Sequence, residues 1–204
     1  MKKTIAALAL ATAFASTAQA QEKDLELSIA AGGGVSGFIT NMADQTKVGG
    51  SWDVRARLRT RFPIGAEIGY VGTANGVGDR MATNAPNGVI LGNGFEANAV
   101  LSVLPRSLPI SDRIDPYVFV GAGYTRFQLV NESSFNPSVL RKHDDAFALP
   151  SGAGLTLHVT DSLLADARFT YRAIFDDGMV HLPGQRDALN MSQWGATAGL
   201  AYEF

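Results

Sequence analysis

The chain has 204 residues with 17 Lys and Arg against 19 Asp and Glu, a formal net charge of −2, and no cysteine. That balance gives no electrostatic footprint for nucleic acid. The missing thiols exclude a disulfide framework, a thiolate metal site, a thiol nucleophile and a lipid-anchored cysteine.

Residues 1–20 open with Lys2 and Lys3, run through apolar and small residues from Ile5 to Ala15, and end in Ala18-Gln19-Ala20. A charged start, an apolar stretch too short to span a bilayer and an A-x-A ending predict a cleaved secretory signal peptide. The mature domain is then 21–204, outside the cytoplasm, with 15 basic residues against 19 acidic ones once Lys2 and Lys3 are gone. After Ala20 no stretch approaches the roughly 18–20 consecutive apolar residues of a membrane helix. A membrane form of this chain therefore has to be a closed β-barrel, which also leaves no unpaired backbone in lipid.

Period-two alternation predicts eight strands. The first covers about Leu25 to Gly37. In the second, Trp52, Val54, Ala56, Leu58, Thr60 and Phe62 alternate with Asp53, Arg55, Arg57, Arg59 and Arg61, and no helical period fits. The third to sixth cover about Ile64 to Thr73, Gly94 to Leu104, Pro116 to Val130 and Ala146 to Val159. In the seventh, Ala165, Ala167, Phe169, Tyr171 and Ala173 alternate with Asp166, Arg168, Thr170 and Arg172, and the eighth runs from Gln193 to Phe204. Pro150, which lacks a backbone donor, predicts a bulge or bend in the sixth.

Joins alternate in length. Phe62-Pro63 and Val159-Thr160-Asp161-Ser162 are tight, Pro105 to Asp115 is intermediate, and the joins near 38–51, 74–93, 131–145 and 176–192 are long and polar. The predicted fold is all-β, an eight-stranded antiparallel up-and-down transmembrane β-barrel with three turns at one end and four long loops at the other.

Aromatic residues decide which face meets lipid. With the first strand rising from the turn side, Trp52, Tyr70, Phe95, Phe127, Phe147, Phe175 and Trp194 fall at loop-side ends of the apolar face, and Phe62, Tyr117, Tyr202 and Phe204 at turn-side ends. Two belts of rings match the two membrane interfaces. The other face then lines the lumen with Glu26, Asp53, Arg55, Arg57, Arg59, Arg61, Glu67, Glu96, Arg126, Asp166, Arg168, Arg172 and Glu203. An eight-stranded barrel is only wide enough for side chains to fill, so these charges are expected to pair. Paired, they form a structural plug; a guanidinium that exchanges carboxylate partners would instead gate a narrow channel.

Several segments carry a family likeness: Asp115-Pro116-Tyr117-Val118-Phe119-Val120-Gly121-Ala122-Gly123-Tyr124, Gly152-Ala153-Gly154-Leu155-Thr156, the turn Val159-Thr160-Asp161-Ser162-Leu163, and the ending Gly199-Leu200-Ala201-Tyr202-Glu203-Phe204. In these the mature chain resembles the outer-membrane β-barrel domains of the OmpA-type superfamily, with OmpX and the attachment-invasion barrels as small relatives. The resemblance implies a location in the cell outer membrane, contact with outer-membrane lipid and lipopolysaccharide, and recognition of Leu200, Tyr202 and Phe204 by the barrel assembly machinery. The peptidoglycan-binding domain that follows the barrel of OmpA is not expected here, so cell-wall tethering is not implied.

His143 beside Asp144 and Asp145, His158 near the turn end of the lumen, and His181 in the last long join are the places to seek catalysis. Lipid A-modifying barrels use a histidine with a serine and an acid, and no such trio falls on neighbouring lipid-facing positions here. Neither His143-Asp144-Asp145 nor Asp176-Asp177 has the ligand number of a dedicated cation site. The expectation is a non-enzymatic barrel without cofactor or metal. Its role is envelope integrity or adhesion to an extracellular ligand through the long loops; the alternative is a narrow, charge-gated, porin-like channel.

Overall fold

The computed structural model describes residues 25–39, 42–60, 62–78, 88–104, 108–130, 143–175 and 191–204. The expected signal segment and Arg61, Asp176, Asp177 and His181 lie outside them. The strands are β1 Leu25–Phe38, β2 Gly49–Thr60, β3 Ile64–Gly76, β4 Val89–Ser102, β5 Ile114–Val130, β6 His143–His158, β7 Leu163–Phe175 and β8 Gln193–Glu203. Each pairs antiparallel with the next, and β8 returns to β1 from Ser28↔Glu203 to Phe38↔Gln193, closing the barrel. At the turn end, the Thr60 hydroxyl donates to the Ile64 carbonyl at 2.9 Å, and Thr160 Oγ1 accepts the Leu163 N–H at 3.0 Å. A 3-10 turn at Pro109–Asp112 lies in the intermediate join.

Large apolar side chains are exposed on all eight strands, among them Ile29, Val54, Ile68, Leu101, Val120, Leu155, Phe169 and Leu200. A soluble monomer rarely exposes a contiguous apolar patch beyond a few hundred Å², so this girdle identifies the lipid face. Tyr70, Phe95, Tyr124, Phe147 and Phe175 stand opposite one another across five consecutive strands and form the loop-side ring belt. Phe62, Tyr202 and Phe204 face outward at the turn end.

The structure corrects the predicted phase of β5. Tyr117, Phe119 and Phe127 are buried inside the barrel, whereas Val118, Val120, Tyr124 and Arg126 point outward. Both faces of this strand are rich in rings and apolar residues, so its alternation carries no sign of its own. The inward rings rest on glycines directly across the ladder: Tyr117 on Gly154, Phe119 on Gly152 and Phe127 on Gly92. Outward, Trp52 covers Gly72 and Trp194 covers Gly37 in the same manner. A glycine opposite a ring leaves the ring room to lie flat, a device that stabilises curved sheets.

Pro150 makes no bulge. Its buried ring interrupts the β5–β6 ladder between Val120↔Ser151 and Gly123↔Ala148, and the register is the same on both sides. At the loop end β4 begins five residues earlier than its alternation suggests, and β2, β3 and β6 are also longer there.

A side chain at Gly154 would meet the Tyr117 ring at 2.4 Å, whereas one at Gly50 meets nothing within 4 Å. Gly154→Val is expected to lower stability by about 1–3 kcal/mol through overpacking, and Gly50→Ala to stay within about 0.5 kcal/mol. Urea midpoints of the two variants in lipid vesicles check the contrast; equal midpoints would refute it.

Candidate functional site

The closed strands aim their charged positions at one axis, and the centre of the lumen is built around Glu67 of β3. Its Oε2 accepts from Arg57 Nε at 3.0 Å and Nη2 at 2.9 Å. Its Oε1 accepts from Arg168 Nη1 at 2.8 Å and Asn98 Nδ2 at 3.2 Å, and Arg55 Nη1 lies 3.6 Å from Oε2. Arg55 also donates to Asp53 at 2.6 Å and to Asp166 at 2.8 Å. Asp166 accepts further from the Tyr117 hydroxyl at 2.9 Å and Thr156 Oγ1 at 3.0 Å.

All six charged groups, Arg55, Arg57, Arg168, Asp53, Glu67 and Asp166, are buried. They cancel as three cations and three carboxylates, as a low-dielectric interior requires. The β5 rings complete the site: the Arg57 guanidinium lies 4.1 Å from the Tyr117 ring centre and that of Arg168 lies 3.8 Å from Phe119. Nε and Nη2 of Arg168 have no hydrogen-bond partner among the described residues, so the ring face is what meets them.

Toward the loops Arg172 donates to Glu96. Toward the turns Arg59 pairs with Asp115 at 2.9 Å and approaches Glu26 and Glu203, each at 3.9 Å. The central cavities are about 10 Å³ each, room for roughly one water. Below them a vestibule of about 500 Å³ opens at the turn end beside Arg59, Arg113, His158 and Asp161.

The loop-side mouth has a different chemistry. Phe38, Val77, Ile90, Phe127, Leu129 and Ile174 point inward there, and Met42 and Met191 drop in from segments flanking the long joins. A backbone bridge at Thr46↔Val77 and the bond from Gly78 N–H to the Gln45 carbonyl at 2.7 Å hold the 42–48 segment against β3.

Thus the structure brings Arg55, Arg57, Glu67, Asp166 and Arg168 into one cluster and sets Arg172 with Glu96 and Arg59 with Glu26 on either side of it. Arg126 is a correction. It points outward, about half exposed, and pairs with Asp145 at 2.7 Å on the outer surface. Sequence reasoning missed Asp115, Asn98, Thr156 and the β5 rings as lumen groups, and missed the apolar mouth altogether. The available signal was Gly152 and Gly154, two positions apart on β6, which mark room for rings inside. His143 opens β6 and His158 borders the vestibule. Leu200, Tyr202 and Phe204 project from the outer face.

A closed eight-stranded barrel with an apolar outer girdle, ring belts at both ends and a filled, charge-balanced lumen defines a transmembrane outer-membrane barrel. The chain belongs to the outer membrane protein beta-barrel domain family, whose model matches residues 6–204. Among solved structures it is similar to Neisserial surface protein A, at 16% identity and a TM-score of 0.58, covering 88% of this chain and 97% of that one. It is also similar to the attachment invasion locus protein Ail of Yersinia pestis, at 16% identity and a TM-score of 0.53 over 90% and 100% of the two chains. The N-terminal barrel of OprF from Pseudomonas aeruginosa gives 15% identity and a TM-score of 0.52 over 90% and 100%. No curated protein matches by sequence. At these identities the neighbours define the fold, and with the family they place the protein in the outer membrane.

Removing the central carboxylate strands buried guanidinium groups. Glu67→Ala is expected to cost about 3–5 kcal/mol, the range for breaking a buried pair from one side, while Arg126→Ala leaves the unfolding midpoint where it is. Urea titration in vesicles gives both values, and a mild Glu67→Ala would show that the network does not brace the barrel.

Proposed function

We propose that this protein is a non-conducting barrel that supports the outer membrane and carries its long joins as a surface for contact with an extracellular ligand. The observation that carries the reading is the double seal of the lumen. An ion entering from the vestibule meets the balanced cluster around Glu67, where freeing one guanidinium exposes buried charges at a cost of several kcal/mol. Beyond it lies a mouth closed by the apolar side chains of Met42, Phe127 and Met191, where the buried Ser36, Asn75 and Gln193 beside them give an ion neutral groups and no charge in place of its hydration. Loops fixed to so rigid a scaffold suit recognition. Outward Leu200, Tyr202 and Phe204 suit a signal read by the assembly machinery, and lipid and lipopolysaccharide surround the girdle. The proposal contains no catalytic step and no cofactor.

Single-channel recording of the refolded mature protein in planar bilayers is the test. The wild type is expected to be silent, and Arg55→Ala, Arg57→Ala and Arg168→Ala to lose stability without opening a path. Discrete openings that these substitutions alter would put a charge-gated channel in place of this reading. Shortening the long joins is expected to abolish cell-surface adhesion while leaving detergent resistance of the envelope intact.

A further inference from the structure

On the outer surface, Ile29, Ala56, Ile68, Ala97 and Ala122 form one continuous row across β1 to β5. The alanines leave a trough of about 550 Å³, roofed on the loop side by Val54, Tyr70 and Phe95. On β4 and β5 the next outward pair above Ala97 and Ala122 is Phe95 and Tyr124, and the pair above that is Asn93 and Arg126. Apolar floor, aromatic belt and polar head therefore succeed one another along a single stripe.

Arg126 is the one lysine or arginine on the described strands that faces outward. Asp145 holds its Nε at 2.7 Å and its Nη2 at 3.0 Å, and the Tyr70 hydroxyl donates to Asn93 Oδ1 at 2.6 Å beside it. Asp145 occupies two of the five N–H donors of the guanidinium and fixes its direction, so little side-chain freedom is left to lose when an anion arrives. The position, just beyond the ring belt on the loop side, is the height of outer-leaflet headgroups.

We propose that this stripe binds one phosphorylated, multiply acylated glycolipid of the outer leaflet, with a phosphate on Arg126 and an acyl chain in the alanine trough. The carboxylate of Asp145 opposes a free anion, so affinity comes from phosphate and chain together, which selects the lipid over inorganic phosphate. The inference rests on the reading that the loop side faces outward; it is independent of whether the lumen conducts.

The test refolds the mature chain in phosphatidylcholine nanodiscs doped with bisphosphorylated lipid A and counts retained lipid by native mass spectrometry, with heat-modified gel mobility confirming the fold. The wild type is expected to retain one lipid A. Arg126→Ala and Ala122→Phe, which fills the trough, are each expected to reduce retention roughly tenfold. Dephosphorylated lipid A should fall to a similar extent, and Leu155→Ala on the far side should change nothing. No retention by the wild type, equal retention by Arg126→Ala, or equal retention of the dephosphorylated lipid would overturn the proposal. Displacement of lipid A by inorganic phosphate, with phosphate bound equally by Ala122→Phe, would overturn it in favour of a free-anion site. Silence or conductance in planar bilayers alters none of these outcomes.

Discussion

Lipid offers no partner to a backbone N–H or C=O, and every strand edge must therefore be closed before the chain can rest in a membrane. Closure with eight strands leaves an interior one or two side chains across, and most of the structure answers to that narrowness. Charged groups drawn into the lumen cannot keep their own water, so they are neutralised in a compact set, three guanidinium groups against three carboxylates with Glu67 between them. Rings drawn into the same space have no room unless the opposite strand gives up its side chain, which it does at Gly92, Gly152 and Gly154. Arginine suits such an interior better than lysine: the planar group of Arg57 forks onto Glu67 while its flat face lies on Tyr117, and Arg168 donates one N–H to Glu67 while its face lies on Phe119.

The lumen is graded along its axis. Its turn end is open and charged, its middle is balanced and nearly dry, and its loop end is largely apolar, with the uncharged Ser36, Asn75 and Gln193 among the apolar side chains. The outer surface is graded too, from the alanine trough through the ring belt to Arg126 and Asp145. Inside, the gradient closes a path; outside, it follows the change from hydrocarbon to headgroup.

The sequence pattern carries the strand number, the order of long and short joins and the direction of β2 and β7, because those strands set arginines against apolar residues and the two faces differ in kind. It fails on β5, where Tyr117 and Phe119 on one face compete with Val118, Val120 and Tyr124 on the other. Hydrophobicity alone cannot tell a ring that meets lipid from a ring that meets a guanidinium. With that ambiguity, alternation alone puts Arg126 on the lumen face and leaves Asp115 out of it. The loop-side ends of β3 and β4 escaped for a related reason: inside the mouth, Val77, Ile90 and Leu129 replace the polar lumen on which alternation depends. The missing donor of Pro150 predicts a distortion, yet the sheet accommodates it by forgoing ladder bonds on one side only.

Two of the central ion pairs join strands that are not neighbours: Arg55 of β2 reaches Asp166 of β7, 111 residues on, and Arg168 of β7 reaches Glu67 of β3 across 101. A partly assembled sheet, still open between β1 and β8, would hold these groups too far apart to meet, with each keeping its own hydration. These two cross-lumen bonds therefore form only as the last seam shuts, whereas Arg57 and Glu67 already face each other once β2 and β3 pair. Their stabilisation arrives late in folding, after the loop-closure entropy of a high-contact-order chain has been met. Interactions absent until the final step slow escape more than they speed entry, so the finished barrel is held shut by contacts that play little part in assembling it.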